Sequence, residues 1–553
     1  MDCCGAKQIP VNETKKNFNV IKEDNSIKKI EPEELKMECK INLIYFAKSE
    51  GIYSILGEKF VKKNKDNIEL IIQGKQNILV DKYELKAGEN TVTMIIKKKL
   101  NDYSYMFSEC KSLIDIKELE YLDVSESKYF EEMFSKCFLL TDIKALENWD
   151  VSKGLNFSKM FNSCVSLSDI KFLENWNVSK GYNFSYMFSF CLNLTNINPL
   201  KNWNVSNGIN FQGTFVLCEA LSDITGLDNW NVSNSNSFSN IFTCCNSLSN
   251  IKALENLDFS NNVNFSEMFN GCKSISDIKS LRNWNVSSGN NFSKMFTNCS
   301  SLSDIRGLEN WNVSKGKNFE GIFFGCKLLS DLKGLENWNV SSGNNFICMF
   351  YSCSSLINIK PLENWKVFNG KNFRALFNGC QSLKDINALE NWNVSNGTDF
   401  GGVFSECKSL SDIKALRNWN VSNGNNFSGI FSFCYLLSDI KALENWDVSN
   451  GKYFGGFFFE CKLLSDINAL RNWNVSKGQN FEDMFSGLSS LKDINALENW
   501  DVSSGYNFKG MFSNCISLLS LKPLVNWNIS DNSNIDYMFK GCSSIKDLKK
   551  QEK

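Results

Sequence analysis

The chain of 553 residues has no histidine and only five prolines, and none of its apolar runs approaches the roughly 20 residues of a membrane-spanning helix. Without histidine, the commonest general base and a frequent zinc ligand are gone. There is also no charge of one sign to speak of. With 60 basic and 61 acidic residues the formal charge is −1, so no long-range field favours nucleic acid or an anionic membrane. The opening, "MDCCGAKQIPVNETKKNF", lacks the apolar stretch of a signal peptide, and the expectation is a cytoplasmic protein.

What the chain has instead is 44 Phe and 21 Cys, and they recur at one interval. Cys110, Cys137 and Cys164 are 27 residues apart, and 17 positions at that spacing, ending at Cys542, hold 16 Cys and Leu488. Phe stands three residues before every one of them, from Phe107 to Phe539. All 14 Trp fall in one column from Trp149 to Trp527, broken by Leu257. The unit reads NFSxMFxxCxSLxDIxxLENWNVSxGx, without insertion or deletion. A fixed period of this size means a solenoid, because a unit too short to enclose a core buries its apolar face only by stacking on copies of itself.

Within the unit we expect a short strand on "SLxDI", a second extended piece on "WNVS" and a helical turn on "FSxMFxxC". The Gly or Asn after "NVS" marks a turn where positive φ is tolerated. The Asn before each Trp, Asn148 through Asn526, is expected to be buried and to bridge backbone groups of successive coils. About 17 turns at the usual strand spacing of roughly 4.8 Å make a rod on the order of 80 Å long.

The pattern Met-Phe, Cys three residues on, Leu three further and Ile three further resembles the repeats of the BspA-like leucine-rich-repeat surface protein family, including its Mycoplasma-type lipoprotein repeat branch. The resemblance covers about residues 101 to 548. It implies a mainly β, right-handed leucine-rich-repeat-like solenoid, usually displayed on a cell surface for adhesion or protein binding and seldom enzymatic.

Ahead of the repeats the text differs. Residues 1–38 read as a flexible polar tail, 39–100 as a small β-rich domain able to cap the open end of the 101–548 solenoid, and 549–553 as a charged tail.

Each column admits a structural and a chemical reading. The Cys column lacks the C-x-x-C spacing and the His of a zinc site, and stacked parallel side chains suit a disulfide poorly, so reduced, buried Cys is expected. Cys244 and Cys348 lie outside the column and are the better candidates for exposed thiols. No metal or cofactor is expected.

The best functional surface is the "DIK" tripeptide and its variants. Asp115, Asp142, Asp169, Asp277, Asp304, Asp331, Asp412 and Asp439 precede an inward Ile or Leu, and Lys117, Lys144, Lys171, Lys279, Arg306, Lys333, Lys414 and Lys441 follow it. Period-two geometry places both charges on one strand face as parallel acidic and basic stripes, a candidate face for a protein partner; the alternative is mutual neutralisation that only keeps the face soluble.

A β-helix carbohydrate-active enzyme is the remote alternative, since catalysis needs a site unlike its surroundings and every turn here is nearly the same. Two binding readings remain: a cytoplasmic interaction scaffold, membrane-associated only if Cys3 and Cys4 are acylated, and a surface adhesin exported by a non-classical route. The "NVS" tripeptides from Asn177 to Asn474 and the "NFS" tripeptides from Asn156 to Asn426 are acceptor sequences that a glycosylating route would mark.

Overall fold

A computed structural model describes residues 39–545; the segment 1–38, with Cys3 and Cys4, and residues 549–553 lie outside that range. From Cys39 the chain forms β1 (Cys39–Ala47), β2 (Gly51–Ser54), α1 (Glu58–Asn64), β3 (Ile68–Ile72), β4 (Lys75–Ile78), β5 (Lys82–Leu85) and β6 (Gly88–Ile96). Strand β1 buries Ile41, Leu43, Tyr45 and Ala47, every second residue, as a strand with one face on a core must. The antiparallel sheet runs β4-β3-β6-β1-β7, and its last member, β7 (Leu113–Asp115), belongs to the first repeat. Asn42 adds amide bonds to the Glu118 carboxylate at 2.6 and 2.9 Å, and the Gly57 N–H donates to the Met106 carbonyl at 3.0 Å.

From there onward the described units share one backbone scheme, interrupted at Phe238. Alternate N–H groups on the Phe-to-Cys arc reach forward to the next copy: Phe130 to the Asn156 carbonyl, Glu132 to Ser158, Phe134 to Met160 and Lys136 to Asn162, at 2.7 to 2.9 Å. The N–H groups between them close local turns, as Cys137 does on Phe134 at 3.1 Å. The helical turn expected on "FSxMFxxC" is therefore a run of linked turns. A helix would aim all its N–H groups along its own axis and leave the neighbouring copy unbonded. Flipping alternate peptides instead requires two residues per unit in the left-handed region, such as Glu132 at φ 53° and Lys136 at φ 65°.

Two further expectations change. Among the described residues the strand on "SLxDI" forms in β7, where β1 supplies a partner; in the other units that segment is unladdered apart from three isolated parallel bridges, Asn196↔Asp223, Asp277↔Asp304 and Asp331↔Asn358. The regular bridge runs instead one residue before the first Phe, from Asp102↔Tyr129 to Asn507↔Asn534. Nor does "WNVS" pair as a strand: Trp203 is extended, at φ −67° and ψ 123°, but unladdered.

The Gly after "NVS" does not adopt positive φ. It is Gly for want of room: a Cβ on Gly316 would lie 2.4 Å from the Phe319 ring and 2.9 Å from the Val313 carbonyl oxygen. The Asn before each Trp, from Asn148 to Asn526, is exposed rather than buried. Core side chains do the bridging assigned to it. Trp176 donates its indole Nε1–H to the Leu146 carbonyl at 2.9 Å, Cys164 its thiol to the Phe134 carbonyl at 3.2 Å, and both contacts recur along the array. Trp and Cys thus fill apolar space while giving a second, inter-unit donor to carbonyls that already accept a local turn N–H, Leu146 from Trp149 at 3.2 Å and Phe134 from Cys137 at 3.1 Å. Phe rings stack on Phe rings, Phe134 on Phe161 at 5.5 Å and an interplanar angle of 5°.

Candidate functional site

The charged face grows out of the 3-10 turns. In the described units the side chain two residues before the turn's first position accepts that position's backbone N–H: Asp115 from Lys117, Asp142 from Lys144, Asp169 from Lys171, Asp277 from Lys279, Asp304 from Arg306, Asp331 from Lys333, Asp412 from Lys414 and Asp439 from Lys441, at 2.7 to 3.2 Å. Asn250 and Asn358 do the same at 3.0 Å, and Ser520 at 3.1 Å. Any short side chain with an acceptor oxygen suffices, which is why the column exchanges Asp with Asn and Ser. The acidic residues are first of all turn locks.

This changes the geometry of the two stripes. Acid and base do not lie on a common strand face: each Asp folds back onto the backbone while the base leaves from the first residue of the turn. Several pairs still meet within a unit, Lys117 with Asp115 at 3.1 Å, Lys171 with Asp169 at 3.3 Å, Lys333 with Asp331 at 3.5 Å and Lys414 with Asp412 at 3.2 Å. Arg306 forks onto Asp304, and Lys279 reaches Asp304 of the following unit at 3.8 Å. Among the described residues Lys144 and Lys441 have no carboxylate within 4.0 Å. The Arg306 guanidinium holds the Asp304 carboxyl below the usual carboxylate range, and the Lys414 N–H does the same for Asp412. These bases are more than half exposed, so their ion pairs are worth only a few tenths of a kcal/mol to about 1 kcal/mol each.

Between successive turns the face is furrowed. Cavities of about 620, 420 and 320 Å³ lie over Asp223 and Lys252, over Asp439 and Lys441, and over Asp466 and Asn495. They share the same column positions. No column reading of the sequence announced them, because a furrow depends on how far the turns stand apart.

The remaining candidates separate. Column thiols are buried, and burial pushes them up, Cys191 and Cys353 to about 12; Cys244 and Cys348 are half-buried. Among the described residues no three Cys, Asp or Glu side chains come together as a metal site, and no helix is long and apolar enough to cross a membrane. The acceptor Asn177 is exposed, with its carbonyl oxygen committed to the Ser179 N–H at 3.2 Å.

No curated protein matches the chain. Among solved structures it is similar to a leucine rich cell surface protein of Faecalibacterium prausnitzii A2-165, at 16% identity over 64% of this chain and 82% of that one, with a TM-score of 0.27. Residues 84–194, 138–251, 217–331, 263–385, 303–414, 349–465 and 457–552 each match the family model described as "Mycoplasma protein of unknown function, DUF285", in keeping with the BspA-like repeat pattern, and the chain belongs to that family.

Proposed function

We propose that the protein is a non-enzymatic interaction scaffold that binds an extended polar segment of a protein partner along the face of capped turns. The observation that carries this reading is the recurrence of one groove at three places on this face, edged by Asp223 and Lys252, by Asp439 and Lys441, and by Asp466 and Arg471. A repeated, rigid and mixed-charge surface suits a partner that lies across several turns, since preorganised side chains lose little freedom on binding. The same repetition argues against an active site, which needs one place unlike the rest.

In this reading the array is a right-handed solenoid of about 17 turns over 101–548, and the domain at 39–100 caps it. The pairing of β1 with β7 and the Asn42 bonds to Glu118 support the cap. We place the protein in the cytoplasm, where its unpaired thiols suit a reducing compartment. The BspA-like pattern favours a second reading, a cell-surface adhesin. Intact mass of the native protein, thiols blocked before lysis, separates the two: unglycosylated and fully blocked for the scaffold, glycan increments or oxidised Cys for the adhesin.

The face itself is tested by reversing the bases and sparing the turn locks. Lys252→Glu, Lys441→Glu and Arg471→Glu together, at exposed bases that line the three grooves, should leave the thermal melt unchanged and abolish capture of the partner in a pull-down. Unchanged capture removes this face from the mechanism.

A further inference from the structure

One unit, Asn246 to Cys272, breaks three columns at once. It has Leu257 in the Trp column, Phe259 in the Val column and Asn262 in the Gly column. The substitutions are physically coupled. Leu257 vacates the volume of an indole, and Phe259 swings into it, 4.2 Å from Trp284 and edge-on to Phe238 at 4.9 Å.

The wedge has consequences on every layer. From Tyr103 to Phe508, consecutive rings of the first Phe column stack at 5.2 to 6.4 Å, with the sole exception, among the described residues, of Phe238 and Phe265. The forward amide bond fails at the same point. Phe211 donates to Ser237 at a lengthened 3.2 Å and Phe265 to Asn291 at 2.9 Å, but no bond runs from Phe238 to Asn264. On the return arc the Val263 N–H reaches the Asn236 carbonyl only at 3.4 Å, against 2.8 to 3.0 Å in the regular turns after it. The indole bond to the Leu227 carbonyl is absent, since Leu257 has no donor. Asn262 is fully buried, and neither polar atom of its side chain has a partner among the described residues.

From this coincidence we infer that the unit is a built-in break at which the array opens, dividing it into two cooperative blocks. In a solenoid each unit is held by its neighbours alone, so a weakened interface lowers the free energy of opening there and limits how far order spreads across it. Buried amide groups without partners add to the imbalance, because opening lets water satisfy them. The device would let one block rearrange on a partner while the other keeps its register.

Native-state hydrogen exchange on the full chain tests this at amides that are bonded as in the other units, so that a missing bond alone cannot explain the result. Leu254 and Cys272 should exchange at least about tenfold faster than their equivalents Leu308 and Cys326. Urea unfolding should show two steps, one for each side of the break. The triple variant Leu257→Trp, Phe259→Val, Asn262→Gly should merge them into one, and Trp338→Leu, Val340→Phe, Gly343→Asn should add a boundary in a regular stretch. If Leu254 and Leu308 exchange at the same rate and the natural chain unfolds in one step, the break is a tolerated substitution and the inference fails. That result needs neither variant to fold.

Discussion

At the scale of the residue, columns are kept by what a side chain gives the backbone of the preceding turn as much as by its bulk. Trp311 is buried and donates to the Leu281 carbonyl at 2.8 Å. Trp311→Phe keeps an aromatic ring, loses the donor and leaves a gap, so we expect a loss of about 2–4 kcal/mol in urea denaturation. The turn locks make the opposite case. Asp304→Asn retains the acceptor for the Arg306 N–H and should be neutral within about 0.5 kcal/mol, whereas Asp304→Ala should cost about 1 kcal/mol. Equal losses would show that the charge, not the acceptor, holds the turn.

At the scale of the element, the unit depends on two left-handed residues that no turn rule flags. The positions are filled by Glu132, Lys136, Phe190 and Leu217 as freely as by Gly213 or Gly271. An L residue there costs roughly 1 kcal/mol. Phe190, at φ 61° and exposed, is a clear instance: Phe190→Gly should raise stability by up to about 1 kcal/mol in thermal melts, offset partly by the greater freedom of Gly in the unfolded chain. Gly316→Ala should do the reverse and cost about 1–3 kcal/mol, because its methyl meets the Phe319 ring.

These positions also explain what the sequence could and could not reveal. Period, buried columns and unpaired thiols follow from which residue types recur, and those were legible. Sterics set the Gly column, and a rule about φ misread it; the Asn before Trp looked like a buried bridge although Trp and Cys already serve the carbonyls. The charged candidates were visible as stripes, but their division into turn locks and outward bases is a matter of backbone direction, which composition does not encode.

At the scale of the whole molecule, the Cys column couples the array to pH in every turn but that of Leu488. Thiols in an unfolded chain ionise near 8.5, whereas burial pushes the column thiols up, Cys191 and Cys353 to about 12. Above about pH 8.5 the folded state therefore holds protons that the unfolded state releases, and stability falls as pH rises. The contribution is fully present below the unfolded value and is lost progressively up to the folded one. At pH 10 the loss is about 2 kcal/mol for each such thiol, and because the units of a cooperative block unfold together the losses accumulate within it. Buried Tyr45 and Tyr103, also raised by desolvation, add to the fall only at higher pH. Under reducing conditions Tm should be flat from pH 6 to 8 and drop steeply from 9 to 10, and replacing several column Cys by Ala should lower Tm at pH 7 while flattening that drop. A Tm that holds level through pH 10 would mean that the stacked thiols ionise in place, and that the column is less sealed from water than its geometry makes it.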